Sequence, residues 1–166
     1  MLMRSEDSEG ADCPFDASVM RAHVRRALES QQLVDLGVVD NVEISIQLLD
    51  SDAMRHLNHQ YRHVDKPTNV LSFESGMPAL QDEQTGTLLV LGDVVFCPEV
   101  IASEALAQGK SQAQHWAHMI VHGILHLCGY DHTTNEEAST MESLEVRVLS
   151  MMGVSNPYQI PTAANP

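Results

Sequence analysis

Apolar positions recur along this chain with two periods, and the changes from one to the other divide it into elements. Residues 42–49 (VEISIQLL) alternate apolar and polar side chains and are rich in β-branched residues, the pattern of a half-buried strand. Residues 69–73 (NVLSF) predict a second strand, and 87–97 one or two more around Gly92. Helical spacing begins at 17–31, with Asp16 as N-cap and Val19, Val24, Ala27 and Leu28 as the buried stripe. Ser51 caps a second helix reaching Tyr61, before Pro67 breaks the chain, and 77–86 (MPALQDEQTG) reads as a loop. Pro98 suits the first turn of a helix reaching Gln108, and Gly109 separates it from a long helix over 111–127 that Gly129 ends. Thr134 and Glu137 form a T-x-x-E capping box for a last helix ending at Gly153. About four strands and five helices in mixed order predict an α+β fold, a small mixed sheet with helices packed on it.

Length changes this picture little: 166 residues suit one domain able to bury its own core. That domain is expected over 14–154, between a disordered arm at 1–13 and a flexible tail at 155–166. No apolar run approaches the roughly 18 residues of a membrane span, and the polar start MLMRSEDSEGADC is no secretory signal. Cys13, Cys97 and Cys128 stand at no metal-ligand spacing and read as free buried thiols of a reducing cytoplasm. Charge alters the reading more. A formal net charge of −14 argues against a general nucleic-acid coat protein, yet a local site can carry its own field. Arg55, Arg62 and Lys66 form one basic island, interleaved with His56, His59 and His63.

The chemistry concentrates in HMIVHGILHLCGYDH, residues 118–132. His122 and His126, four apart on a helix, stack on one face. Gly129 lets the chain turn back, and His132 lies where it can return to the same point. Three neutral nitrogens with an open fourth position describe a catalytic zinc site, one ion per chain, on a zincin-like helix. The spacing is that of metzincin proteases, but their general base, a Glu after the first His, is here Gly123. A glycine inside a helix also suggests that something approaches the backbone closely. Around the trio, His118 reads as a supporting, substrate-side or packed group, and His115 as surface. Asp131 either orients an imidazole or shapes the turn, and Cys128, Met141, Met151 and Met152 read as core.

HGILHLCGYDH resembles the signature H-G-x-L-H-L-x-G-Y-D-H of the YbeY family, bacterial rRNA-maturation endoribonucleases. LNHQYRHVDKPTNVLSFE, residues 57–74, is similar to that family's L-N-x-x-Y-R-x-x-D-x-P-T-[DN]-V-L-S-F, and LGDVVFCPEV, residues 91–100, to its L-G-D-I-x-I strand. The three blocks stand in family order. Glu74 departs from a common Pro, with little effect expected. The resemblance implies a cytoplasmic, single-strand-specific, zinc-dependent endoribonuclease acting in 16S rRNA 3′-end maturation and ribosome quality control. By position, His122, His126 and His132 are the metal ligands and Arg62 is the functional arginine. The implied partners are rRNA and the small ribosomal subunit, with ribosomal proteins and ribosome-assembly GTPases, and neither DNA nor a membrane.

Zinc acidifies a bound water to a pKa of about 7 and polarises a phosphoryl oxygen. Arg62 is the candidate catalytic cation, because guanidinium grips phosphate oxygens in a fork. Arg55, Arg62 and Lys66 are the candidate RNA-binding residues. What activates the nucleophile stays open between the acidified water, His118, and an attacking 2′-OH assisted by a histidine. Two rivals stand beside this reading: a zincin-like metallopeptidase, which Gly123 disfavours, and a non-catalytic ribosome-assembly factor with a structural metal.

Overall fold

The computed structural model describes residues 2–6, 13–31 and 40–159. Among the described residues ten elements follow one another: β1 (Leu2–Glu6), α1 (Ala17–Glu29), β2 (Asn41–Leu48), α2 (Ser51–Arg62), β3 (Val70–Glu74), β4 (Leu80–Asp82), β5 (Gly86–Phe96), α3 (Pro98–Ala107), α4 (Gln112–Leu127) and α5 (Asn135–Met151). The fold is α+β. The sheet runs β1-β2-β5-β3, with β4 also paired to β5. β1, β2 and β5 are parallel, whereas β3 and β4 run antiparallel to β5.

β5 is one long strand made possible by Gly92. A bulge there shifts its register against β2 between Glu43 and Ile44. Gly92 has φ of 138°, and a Cβ at that position would stand 2.0 Å from the Phe73 carbonyl oxygen. Only glycine combines that dihedral with that approach. The first part of β5 pairs with β4 and the second with β3.

Alternation sends side chains to two layers. Val42, Ile44 and Ile46 of β2 and Val94 and Phe96 of β5 join α1, α4 and α5 in the main core, around Trp116, Ile120 and Ile124. Leu71, Val95 and Cys97 point the other way and pack with Met54 of α2. α4 is the central element, touching α1, α3, α5, β3 and β5. Each fully buried Ile or Leu on it contributes about 1.5–3 kcal/mol, so the helix that carries the histidines is also the one the fold holds most firmly.

Several boundaries differ from the sequence reading. Residues 2–6 of the expected disordered arm form β1, in register from Leu2 opposite Glu43 to Glu6 opposite Gln47. An edge strand is made by backbone pairing, and five residues carry too short an alternation to announce it; residues 7–12 lie outside the described residues. The expected loop contains β4, whose three residues are all exposed and so show no alternation. Asp50, not Ser51, caps α2, because it holds the extended backbone and accepts from the Ala53 N–H at 2.8 Å. The α1 stripe is Met20, Val24, Ala27 and Leu28, so Val19 lies one position out of phase. The tail is ordered through residue 159, and residues 160–166 lie outside the described residues.

Candidate metal centre

α4 begins at a reciprocal capping box between Ser111 and Gln114 and ends where Gly129 takes a φ of 90°. After that turn the Tyr130 N–H bonds the Leu125 carbonyl at 3.1 Å, which closes the helix end. The Tyr130 carbonyl then faces back and accepts from His126 Nδ1 at 2.8 Å. Asp131 accepts from the His132 backbone N–H at 2.7 Å, so its observed contact shapes the turn.

These constraints bring His122, His126 and His132 together. Their candidate donor atoms all lie within 4.8 Å of one another. Ring centroids are 4.6 Å apart for His122 and His126, 5.0 Å for His126 and His132, and 5.6 Å for His122 and His132. The Nε2 atoms of His122 and His126 are 3.1 Å apart.

Their tautomers follow from what the opposite ring nitrogens meet. His126 Nδ1 faces a carbonyl, which only accepts, and His122 Nδ1 lies 2.6 Å from Glu145 Oε1. Both Nδ1 atoms therefore carry hydrogen in the neutral rings, and both Nε2 lone pairs converge. Two lone pairs at that separation repel unless a cation lies between them. Nitrogens about 2.0–2.1 Å from one tetrahedral ion would stand about 3.3 Å apart, close to what is found. The donor set fits a metal ion. Burial, reinforced by repulsion from His122 and His132, pushes the His126 pKa down to about 4, which keeps it neutral for ligation.

Glu145 is the residue the sequence reading missed. It is fully buried, and its carboxylate accepts from His122 at 2.6 Å, from His118 Nε2 at 3.2 Å and from the Tyr158 hydroxyl. Burial alone would raise its pKa, but the hydrogen bonds from His118 and His122 overcome this and hold it at about 2. A carboxylate behind a ligating imidazole fixes the ring and raises its basicity. The signal was present: Glu145 falls on the buried stripe of α5 with Met141, Val148 and Leu149. An acid at an apolar position needs a partner.

Other expected neighbours fall differently. His115, read as surface, is 2% exposed and pairs with Glu104 at 2.7 Å, because α3 packs over that end of α4. His118 is buried. Met141 is core, but Met151 in the last turn of α5 is exposed. Burial pushes the Cys128 thiol up to about 12, far from the thiolate a metal requires.

A cleft of about 300 Å³ opens beside the histidines, lined by His126, His132, Asp131, Glu74 and Arg62 among others. Arg62 reaches it because α2 stops there. His63 takes a left-handed conformation, and Asn58 holds the following loop by donating to the Lys66 carbonyl at 2.7 Å. Arg55 and Lys66 are not among the cleft's lining residues. Arg55 makes a forked ion pair with Asp65, at 2.7 and 3.0 Å, and Lys66 is exposed.

Gly123 faces the sheet. A Cβ there would lie 2.8 Å from Val94 Cγ1 and 3.1 Å from Val70 Cγ2, while its carbonyl accepts from Ser72 Oγ at 2.9 Å. The close approach expected from a helical glycine is the sheet itself.

Fold and site together define an α+β protein with a carboxylate-backed, three-histidine centre able to hold a metal ion beside an arginine-lined cleft. The family model described as Endoribonuclease YbeY matches residues 7–153. Relatives named Endoribonuclease YbeY include one from Acinetobacter baumannii (strain ATCC 17978), 44% identical over 87% of this chain and 90% of its own length. Another, from Halorhodospira halophila, is 49% identical over 70% of this chain and 75% of its own. A third, from Legionella pneumophila (strain Corby), is 42% identical over 80% and 84%. The chain belongs to the Endoribonuclease YbeY family. No helix among the described residues is long and apolar enough to cross a membrane.

Proposed function

We propose that this protein is a zinc-dependent, single-strand-specific endoribonuclease of the cytoplasm, acting on rRNA of the small ribosomal subunit in 16S 3′-end maturation and quality control. Ribosomal proteins and ribosome-assembly GTPases are its proposed partners. The observation that carries the reading is one cleft lined by Arg62 and by two of the three converging histidines, His126 and His132. The family's endoribonuclease name supports the reaction class.

His122, His126 and His132 would hold the ion, which when bound supplies Lewis-acid polarisation of a phosphoryl oxygen and an acidified water. Arg62 binds the phosphoryl oxygens through two parallel N–H donors and meets the charge that grows on them. Glu74 and Asp131, which also line the cleft, restrict how phosphate can approach. Lys66 holds flanking backbone outside the cleft, and Arg55 can do so only by exchanging Asp65 for phosphate. A peptidase reading is disfavoured at Gly123, because a side chain there would meet Val94 and Val70.

The test is cleavage of single-stranded and duplex RNA by wild type and His126→Ala, with zinc content measured and a chelator arm included. About one zinc per chain, cleavage restricted to single strands, and loss of both zinc and cleavage in His126→Ala are expected. Casein cleavage without RNA cleavage would overturn the proposal in favour of a peptidase. Zinc binding without either activity would leave the assembly-factor reading standing instead.

A further inference from the structure

The C-terminal turn lies beyond the segment that matches the family, yet it reaches the metal centre. Lys110 Nζ donates to the Pro157 carbonyl at 2.7 Å, and the Tyr158 N–H donates to Asn156 Oδ1 at 2.9 Å, which ties the turn down where α4 begins. Tyr158 lays its ring against His118, centroids 5.4 Å apart in an edge arrangement, and points its hydroxyl at the buried Glu145. The two carboxylate oxygens have separate tasks. Oε1 takes the His122 Nδ1–H, while Oε2 takes the Tyr158 hydroxyl and His118 Nε2.

A carboxylate turns easily about its terminal torsion, which is broad and roughly two-fold. What stops Glu145 from turning is the pair of donors on Oε2, and whatever fixes Oε2 fixes Oε1. Oε1 in turn decides which His122 nitrogen carries hydrogen and where its Nε2 points. His118, His122 and Glu145 could also be read as a second ion site. The 2.6 Å between Glu145 and His122 is a direct hydrogen bond, too short for two donors sharing an ion.

We propose that Tyr158 is a positioning residue: the anchored C-terminal turn latches Glu145, and through it holds His122 in the tautomer and orientation that ligate metal. The inference rests on the three histidines being the metal ligands. Two measurements on the full chain test it: zinc affinity by competition with a chromophoric chelator, and the His122 tautomer by nitrogen NMR of the metal-free protein. Glu145→Gln should weaken zinc binding about 10–100-fold, the usual effect of losing such a partner. Tyr158→Phe, which keeps the ring and removes the hydroxyl, should weaken it by about tenfold, the low end of that range, and turn a single Nδ1–H tautomer into a mixture. Lys110→Met keeps every residue of the network, releases the anchor, and should shift both readouts the same way. It reads the latch even if Tyr158→Phe fails to fold. Wild-type affinity and tautomer in both variants, with only the unfolding temperature lowered, would reduce the turn to packing and overturn the proposal. If wild type took up no zinc, the metal reading would fail while the tautomer still decided the latch.

Discussion

Arg62 meets the cleft with a planar cation, and the consequence is testable without altering charge. A fork of two N–H groups matches two phosphate oxygens, whereas an ammonium offers one point of charge. Arg62→Lys should therefore lower kcat for RNA cleavage by at least about tenfold, and Arg62→Ala by about 10²–10³-fold, the range for losing one donor to a developing oxyanion. Zinc content should be unchanged in both, because Arg62 is not one of the converging ligands. Turnover of Arg62→Lys equal to wild type would reduce Arg62 to a point charge. At this scale the convergence of the histidine trio was legible from spacing alone, since i, i+4 and a glycine turn impose it. Glu145 could be read as an acid on a buried stripe, but its partner could not, because His122 lies 23 positions away and only folding joins them.

At the scale of elements, α4 does two jobs with adjacent faces. One carries His122 and His126, and the other presses Gly123 onto β3 and β5. Gly123→Ala improves helix propensity by about 1 kcal/mol, but it drives a methyl to 2.8 Å from a stiff Val94. Overpacking of that kind costs about 1–3 kcal/mol. Urea unfolding should show a net loss of stability, and a gain would mean that β3 and β5 yield easily. Gly123→Glu should unfold the domain rather than restore a protease base. The residues of the elements were readable where one face is buried over eight or more positions, as in β2 and α4. β1 and β4 were not, because five and three residues are too few to show an alternation.

The whole molecule is acidic, with a net charge of −14, and its response to acid follows from the centre's protonation. In metal-free protein burial pushes the His126 pKa down to about 4, against 6.5 for an unperturbed imidazole. As pH falls through that window the unfolded chain takes up a proton that the folded state refuses, so folding stability falls. Glu145 adds to this lower down: held at about 2 against an ordinary 4.5, its contribution is present above 4.5 and is lost as pH falls towards 2. Denaturant midpoints of metal-free protein should decline from pH 7 to 5 and more steeply below 4.5. His126→Gln should remove the first part of the decline. A midpoint flat down to pH 5 in wild type would contradict the assigned protonation.

The fold class, the helix that carries the histidines and the convergence of His122, His126 and His132 were determined by the sequence, because each rests on local periodicity, capping chemistry or motif spacing; Arg62 was singled out by the family resemblance. Tertiary structure alone decided the rest. It put Arg62 on the cleft wall while Asp65 took Arg55, buried His115 beneath α3, turned Gly123 onto the sheet, and set Tyr158 behind Glu145. The physical reason is range. Spacing along a helix or turn constrains neighbours within a few residues, whereas a buried carboxylate, a close helix–sheet contact and a cleft wall are made by residues whose separation in sequence carries no information about their distance in space.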